Sequence, residues 1–234
     1  NWIEETGASF EVNEPDLFAL EEALRLRDEL GAEVVIVSLG PERVKQVIRD
    51  ALARGADRGI QIVHEAPHTL EPLHVAACIA DIARDEGFDI VLAGLQSGDL
   101  GYSQTGTLVA ELLDHPHAGL VVEIQSQPDG LRVRRELEGG AFQWIGIPLP
   151  CTLGIQSGIN KPRYAGMKGI MAAKKKEIRT IPAQVPGETA AMHTLSTREI
   201  YIPSKSAQTE YIQGSPEEIC TALADHLGKA MGVR

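Results

Sequence analysis

The sequence predicts an α/β fold, a mostly parallel sheet with helices on both faces. Three observations predict it. Over the first two-thirds of the chain, segments with apolar residues every three or four positions alternate with short β-branched runs. Those runs are apolar on both faces, as strands sandwiched between two helical layers are. Gly and Pro fall between the segments, where they stop one element and start the next.

The first element is a helix, DLFALEEALRLRDELG, with Asp16 as the expected cap, Leu17, Leu20 and Leu24 as its apolar stripe and Gly31 as its stop. AEVVIVSLG is a strand ending in Gly40. PERVKQVIRDALARG is a helix with Pro41 near its start, Val44, Val47, Ile48, Ala51 and Leu52 on one face, and Gly55 at its end. GIQIVHE is a strand, EPLHVAACIADIARDEG a helix, DIVLAGLQ a strand and TGTLVAELLD a short helix. Open α/β sheets commonly begin with a strand, and none is readable before the first helix. After Pro116 the rhythm changes. AGLVVEIQS and LRVRRELEGG flank the turn Gln127-Pro128-Asp129-Gly130, which predicts a hairpin, and AFQWIGI adds an antiparallel strand. Gly-rich loops surround CTLGIQSGINKPRYAGMKGIM. From Ile178 to about Gln213 the chain is polar and without period, and is expected to be an extended arm. Ser215, Pro216 and Glu218 form a capping box for a last helix, with Ile219, Leu223 and Leu227 along one face. The expected division is an α/β domain over 1–177 and an arm with a helix over 178–234.

Composition narrows the function. The net charge of −11 argues against a nucleic-acid binder, which needs a basic face for phosphates. No apolar run approaches the roughly 18–20 residues that span a bilayer. NWIEETGASF does not read as a signal or transit peptide. Cys78, Cys151 and Cys220 suit neither a disulfide framework nor a zinc site, so a reducing compartment is expected. The seven histidines show no metal-ligand spacing. Ser157 is not in a nucleophile elbow, and Cys78 reads as core.

Two stretches carry chemistry. Gly94 through Gly106, GLQSGDLGYSQTG, leaves the C-terminal end of a buried strand and enters a helix, where open α/β sheets bind ligands. Ser103, Gln104 and Thr105 bring N–H groups and side-chain donors to a helix N-terminus, which favours an anion. The stretch matches neither a P-loop nor the dinucleotide pattern. It is either a phosphate or nucleotide site or a long connection with an ordinary Ser/Thr cap. The second stretch is 160–179, with seven basic residues (Lys161, Arg163, Lys168, Lys174, Lys175, Lys176, Arg179) against the single acid Glu177. It is either a solvated lysine-rich helix or a docking surface for an acidic partner, with Met167 as a protruding apolar group.

The segments ALEEALRLRDELG, IRDALARGADRGI, LQSGDLGYSQTG, VRRELEGG and NKPRYAGMKGIMAAKKK fall in order over nearly the whole chain. With them the chain closely resembles the β subunits of electron transfer flavoproteins. The resemblance implies an adenine-nucleotide α-hydrolase-like fold without the family's first strand, and an αβ heterodimer. Such a heterodimer carries electrons from flavin dehydrogenases, such as acyl-CoA dehydrogenases in fatty acid β-oxidation, to a membrane quinone oxidoreductase. The β chain is then a carrier subunit rather than a catalyst of its own reaction. The resemblance places a structural AMP in this subunit and FAD mainly in the α subunit. It maps AMP contacts onto Asn13, Glu14, Pro15, Asp16, Leu39, Gly94, Gln96, Ser97, Asp99, Ser103, Gln104 and Thr105. It maps a partner-recognition loop onto Arg163, Tyr164, Ala165, Gly166, Met167 and Lys168, and an α-subunit contact onto Glu136. The arm and last helix would pack on the α subunit. The chain departs from the pattern at Pro15, where an aromatic residue commonly faces the flavin, and at Gly166-Met167-Lys168, where a Thr-Leu-Pro type run is common. Leu70 to His74 resembles the AMP-binding branch rather than the bifurcating branch, which holds a second FAD in place of AMP and oxidises NADH. A stand-alone AMP or ATP-binding module is the remaining alternative. The expected compartment is the bacterial cytoplasm, or the mitochondrial matrix if the N-terminus is truncated.

Overall fold

The computed structural model describes residues 3–185, 187, 197, 199–202, 204, 209 and 211–232. The chain forms two compact units, residues 5–196 and residues 1–4 with 197–234. The larger unit runs α1 (Glu14–Leu30), β1 (Val35–Gly40), α2 (Val44–Arg54), β2 (Arg58–Val63), α3 (Pro72–Glu86), β3 (Ile90–Gly94) and α4 (Thr105–Leu113). There follow β4 (His117–Gln127), β5 (Gly130–Glu136), β6 (Phe142–Ile147), β7 (Cys151–Ile155), α5 (Met167–Ala173) and β8 (Ile178–Pro182). The smaller unit contains α6 (Pro216–Met231), opened by the expected capping box of Ser215 and Glu218. Leu223, Leu227 and Met231 on this helix are exposed.

The strands form two sheets. One is parallel throughout, in the order β1-β2-β8. The other has the order β3-β7-β4-β5-β6, parallel through β4 and antiparallel beyond it. The alternating reading and the hairpin are therefore both present, and the fold class is α/β as expected. Among the described residues no strand precedes α1, and β1 and β3 are sheet edges although their sequences are apolar on both faces.

Helix α1 serves both sheets. Leu20 and Leu24 pack with Ile36, Ile48 and Leu52, while Ala19 and Phe18 pack with Ile90, Leu92, Leu153 and Ile155. The other face of β1, carrying Val35, Val37 and Leu39, meets Cys78 and Ile82 of α3. Successive strand residues face opposite ways, so the two clusters lie on opposite sides of one sheet. Each fully buried Leu or Ile contributes roughly 1.5–3 kcal/mol relative to exposure.

Three elements differ from the sequence expectation. Helix α1 starts at Glu14 with Asn13 in the cap position, because the carboxylate of Asp16, the expected cap, is turned to the end of β3. CTLGI, expected among loops, is the fully interior strand β7 between β3 and β4. The stretch expected to be an arm begins as β8, an added parallel strand on β2, held also by Arg179 on Glu86 at 2.6 Å. Much of the remainder of that stretch lies outside the described residues.

Candidate nucleotide site and docking segment

The loop after β3 is built against the first turn of α1. The amide of Gly94 donates to Asp16 Oδ1 at 2.7 Å. Asn13 donates through Nδ2 to Asp16 Oδ2 at 2.8 Å and to the Gln96 carbonyl at 3.0 Å, and its Oδ1 accepts the Gly98 amide at 3.0 Å. Gly94 must be glycine for this approach, since a Cβ there would stand 2.6 Å from the Asp16 nitrogen and 2.8 Å from Pro15 Cβ. Further along, Ser97 Oγ accepts the amides of Leu100 and Gly101, both at 3.3 Å, and Gln96 donates to the Gly101 carbonyl at 3.1 Å.

The loop then delivers the chain to α4 with its N-terminus open. Gln104 is in the cap position and makes no side-chain cap hydrogen bond. The first amides of α4 therefore lack a cap, and the helix dipole adds positive potential there. Ser103, at φ 54, turns the chain into the helix. Ser103 and Gln104 are exposed and Thr105 is half-buried. A cavity of about 20 Å³, room for about one water, lies beside this end. It is lined by Ser103, Gly106, Thr107, His117, Thr152 and the ends of β3 and β7. Burial pushes His115 below the ordinary histidine range despite Asp114 beside it, and its Nδ1 lies 3.1 Å from Thr152 Oγ1. Neither 13–16 nor 94–105 contains a Lys or Arg. An anion here would be held by amides, hydroxyls and the dipole rather than by a cation.

The structure thus joins Asn13, Pro15, Asp16, Gly94, Gln96 and Ser97 in one construction, with Ser103, Gln104 and Thr105 at its far end. Glu14 and Asp99 are exposed on its rim. Leu39 is on β1, in the other sheet, and packs with Cys78 and Ile82. Thr152 and His117 were not legible as site residues. Thr152 lies on β7, which carries no period of its own, and His117 lies at the start of β4, so only the pairing of these strands brings the two side chains to the cavity.

The basic stretch presents a second arrangement. Tyr164 is 88% and Met167 76% exposed, followed on α5 by exposed Ile170 and Met171. Lys161, Lys168, Lys174 and Lys175 are exposed around them. Ala165 is tucked into the α1–α2 cluster, while Gly166 caps α5. Glu136, at the end of β5, accepts from Gln156 at 3.3 Å. Among the described residues no helix is long and apolar enough to cross a membrane, and no group of three His, Cys, Asp or Glu could hold a metal ion.

Residues 1–186 match the electron transfer flavoprotein domain family. The chain is 38% identical to the electron transfer flavoprotein subunit beta of Methylophilus methylotrophus, over 98% of this chain and 90% of that one. It belongs to the electron transfer flavoprotein β-subunit family. The subunit beta of Syntrophomonas wolfei is 33% identical over 99% of this chain and 89% of its own. The human subunit beta is 36% identical over 90% of this chain and 82% of its own. In this family context the lysine-rich segment and the open end of α4 are the two features with chemistry to assign.

Proposed function

We propose that this chain is the β subunit of a heterodimeric electron transfer flavoprotein, with a structural AMP at Gly94–Thr105 and FAD held mainly by the α subunit. The observation that carries the nucleotide assignment is the uncapped N-terminus of α4 behind a loop pinned to α1 by Asn13 and Asp16. The donors present fit a phosphate: Ser103, Thr105 and the first amides of α4 would hold it, with Gln96 and Asp99 within the same loop for the nucleoside. Bound AMP supplies no redox chemistry; it neutralises the open helix end and fills the loop.

In this reading Arg163–Lys168 docks a flavin dehydrogenase donor, Met167 entering its pocket, and the heterodimer passes the electrons on to a quinone oxidoreductase. Helix α6, with its exposed apolar stripe, packs on the α subunit, as does the region of Glu136. The compartment is a bacterial cytoplasm or a mitochondrial matrix. The test is a nucleotide census. The chain is expressed with its α subunit, and the purified complex is denatured and its FAD and AMP quantified. One FAD and one AMP per heterodimer is the expected result. Two FAD and no AMP would replace this reading with the bifurcating, NADH-oxidising one.

A further inference from the structure

Two adjacent glutamates of α1, Glu21 and Glu22, are 7% and 3% exposed. Carboxylates are removed from water at a large cost unless each is paired and hydrogen-bonded. Both are paired, and both reach the same short segment. Glu21 Oε2 accepts the backbone amide of Arg163 at 3.0 Å and its Nε at 2.8 Å, while Oε1 accepts Nη2 at 2.9 Å. Glu22 Oε1 accepts Asn160 Nδ2 at 2.9 Å and Arg25 at 2.8 Å, and Asn160 Nδ2 also reaches the Phe18 carbonyl at 2.9 Å. One of the Glu21 bonds is to main chain, so it fixes the path of the backbone as well as one side chain. Tyr164, the next residue, turns fully outward.

The far side of the segment is clamped as well. Arg54 donates to the Arg163 carbonyl at 2.8 Å. Gly169 lies so close to α2 that a Cβ would overlap the Ala53 carbonyl oxygen. Arg49 donates to the carbonyls of Ala173 and Lys176, and the Lys176 ammonium caps the end of α2 on Leu52, Gly55 and Ala56. The exposed side chains between these clamps are consequently presented on a fixed backbone. Such preorganisation reduces the ordering cost of docking.

We propose that Glu21 is the positioning residue of the docking segment, holding Arg163 so that Tyr164 and Met167 face the donor flavoprotein in a set geometry. This rests on the docking role given to Arg163–Lys168 above. The experiment uses the flavin-loaded heterodimer and an acyl-CoA dehydrogenase that reduces it. Glu21→Gln is compared with wild type and with Met167→Ala. Glu21→Gln is expected to raise the KM for the heterodimer about tenfold, with kcat at saturation changed less than about twofold. Amide exchange should quicken in 161–171 and stay unchanged in β2 and β7, with FAD and AMP content unaltered. Arg163→Lys, which keeps the charge and loses the fork, should give the same KM rise and serves if Glu21→Gln does not fold. A KM raised by Met167→Ala but not by Glu21→Gln or Arg163→Lys would overturn the positioning role and leave the docking role standing. If neither Met167→Ala nor Glu21→Gln moves KM, the docking role falls and this proposal with it. A KM rise accompanied by loss of bound FAD and by quickened exchange in β2 and β7 as well would also overturn it, as a general loss of structure.

Discussion

Asp16 accepts the amide of Gly94 at 2.7 Å, tying the first turn of α1 to the last residue of β3. The bond spans 78 positions of sequence and sets where the loop to α4 begins. Asp16→Ala removes it together with the Asn13–Asp16 contact. Loss of a partner to a partly buried amide costs about 1–3 kcal/mol. The expected outcome is a lower melting temperature and substoichiometric AMP in the purified heterodimer, read by chromatography after denaturation. Full AMP with unchanged melting would separate the loop from the nucleotide.

Met167→Ala should weaken electron uptake from the donor without loss of FAD. Truncating an exposed apolar anchor costs about 1–4 kcal/mol when it is a hot spot. Stopped-flow reduction at several donor concentrations checks it, and unchanged kinetics would remove Met167 from the anchor role.

The α/β class, the hairpin and helices α1 to α4 and α6 were legible because each rests on local periodicity, Gly and Pro punctuation or a capping box. The strand CTLGI was not. Its five residues carry no period, and its place between β3 and β4 depends on pairing with residues tens of positions away. Strand β8 was hidden for the same reason. The long loop Gly94–Gly106 between β3 and α4 was legible, but its attachment to Asn13 and Asp16 is a long-range contact, and Asp16 read locally as a cap. Glu21 and Glu22 carry no local signal that sets them apart from the other charged residues of α1. Only the folded position of Asn160 and Arg163 explains their burial.

Gly169→Ala should destabilise the chain by about 1–3 kcal/mol, because the obstacle is a backbone carbonyl and not a flexible side chain. Thermal unfolding of the heterodimer measures it. Gly166→Ala, with open space at that site, is the control and should have a much smaller effect.

The Glu21–Arg163 pair predicts a pH signature. Burial alone would raise the Glu21 carboxyl, but the hydrogen bonds and charge of Arg163 outweigh it and hold it below its ordinary 4.5. A carboxyl lowered in the folded state stabilises above its unfolded value and loses that contribution as pH falls through the folded one. The stability difference between wild type and Glu21→Gln should be level from about pH 5 to 8 and shrink below about pH 4.5. Denaturant unfolding across that range checks it. A difference that persisted undiminished to pH 3 would contradict the pairing.

Cysteine labelling reports on α6. Cys78 and Cys151 are buried, and burial pushes the Cys151 thiol up to about 11, so neither should react in the folded chain. Cys220 is exposed on the same helix stripe as Leu223, Leu227 and Met231. It should be protected in the heterodimer if that stripe packs on the α subunit. Rapid labelling of Cys220 in the intact complex would place the contact elsewhere.

Helix α1 carries two tasks at a short interval. Asn13 and Asp16 grip the loop between β3 and α4, and Glu21 and Glu22 grip the segment before Tyr164. From Asp16 to Glu21 is under two turns, about 8 Å of rise. Over that length a helix is a stiff lever. A shift at its first turn, when the loop fills or empties, is carried to Arg163 with little loss. Adenylate bound at one end and a protein bound at the other would then each feel the other's presence. Their coupling would be reciprocal: the factor by which docking changes the affinity for AMP is the factor by which AMP changes the affinity for the docked protein.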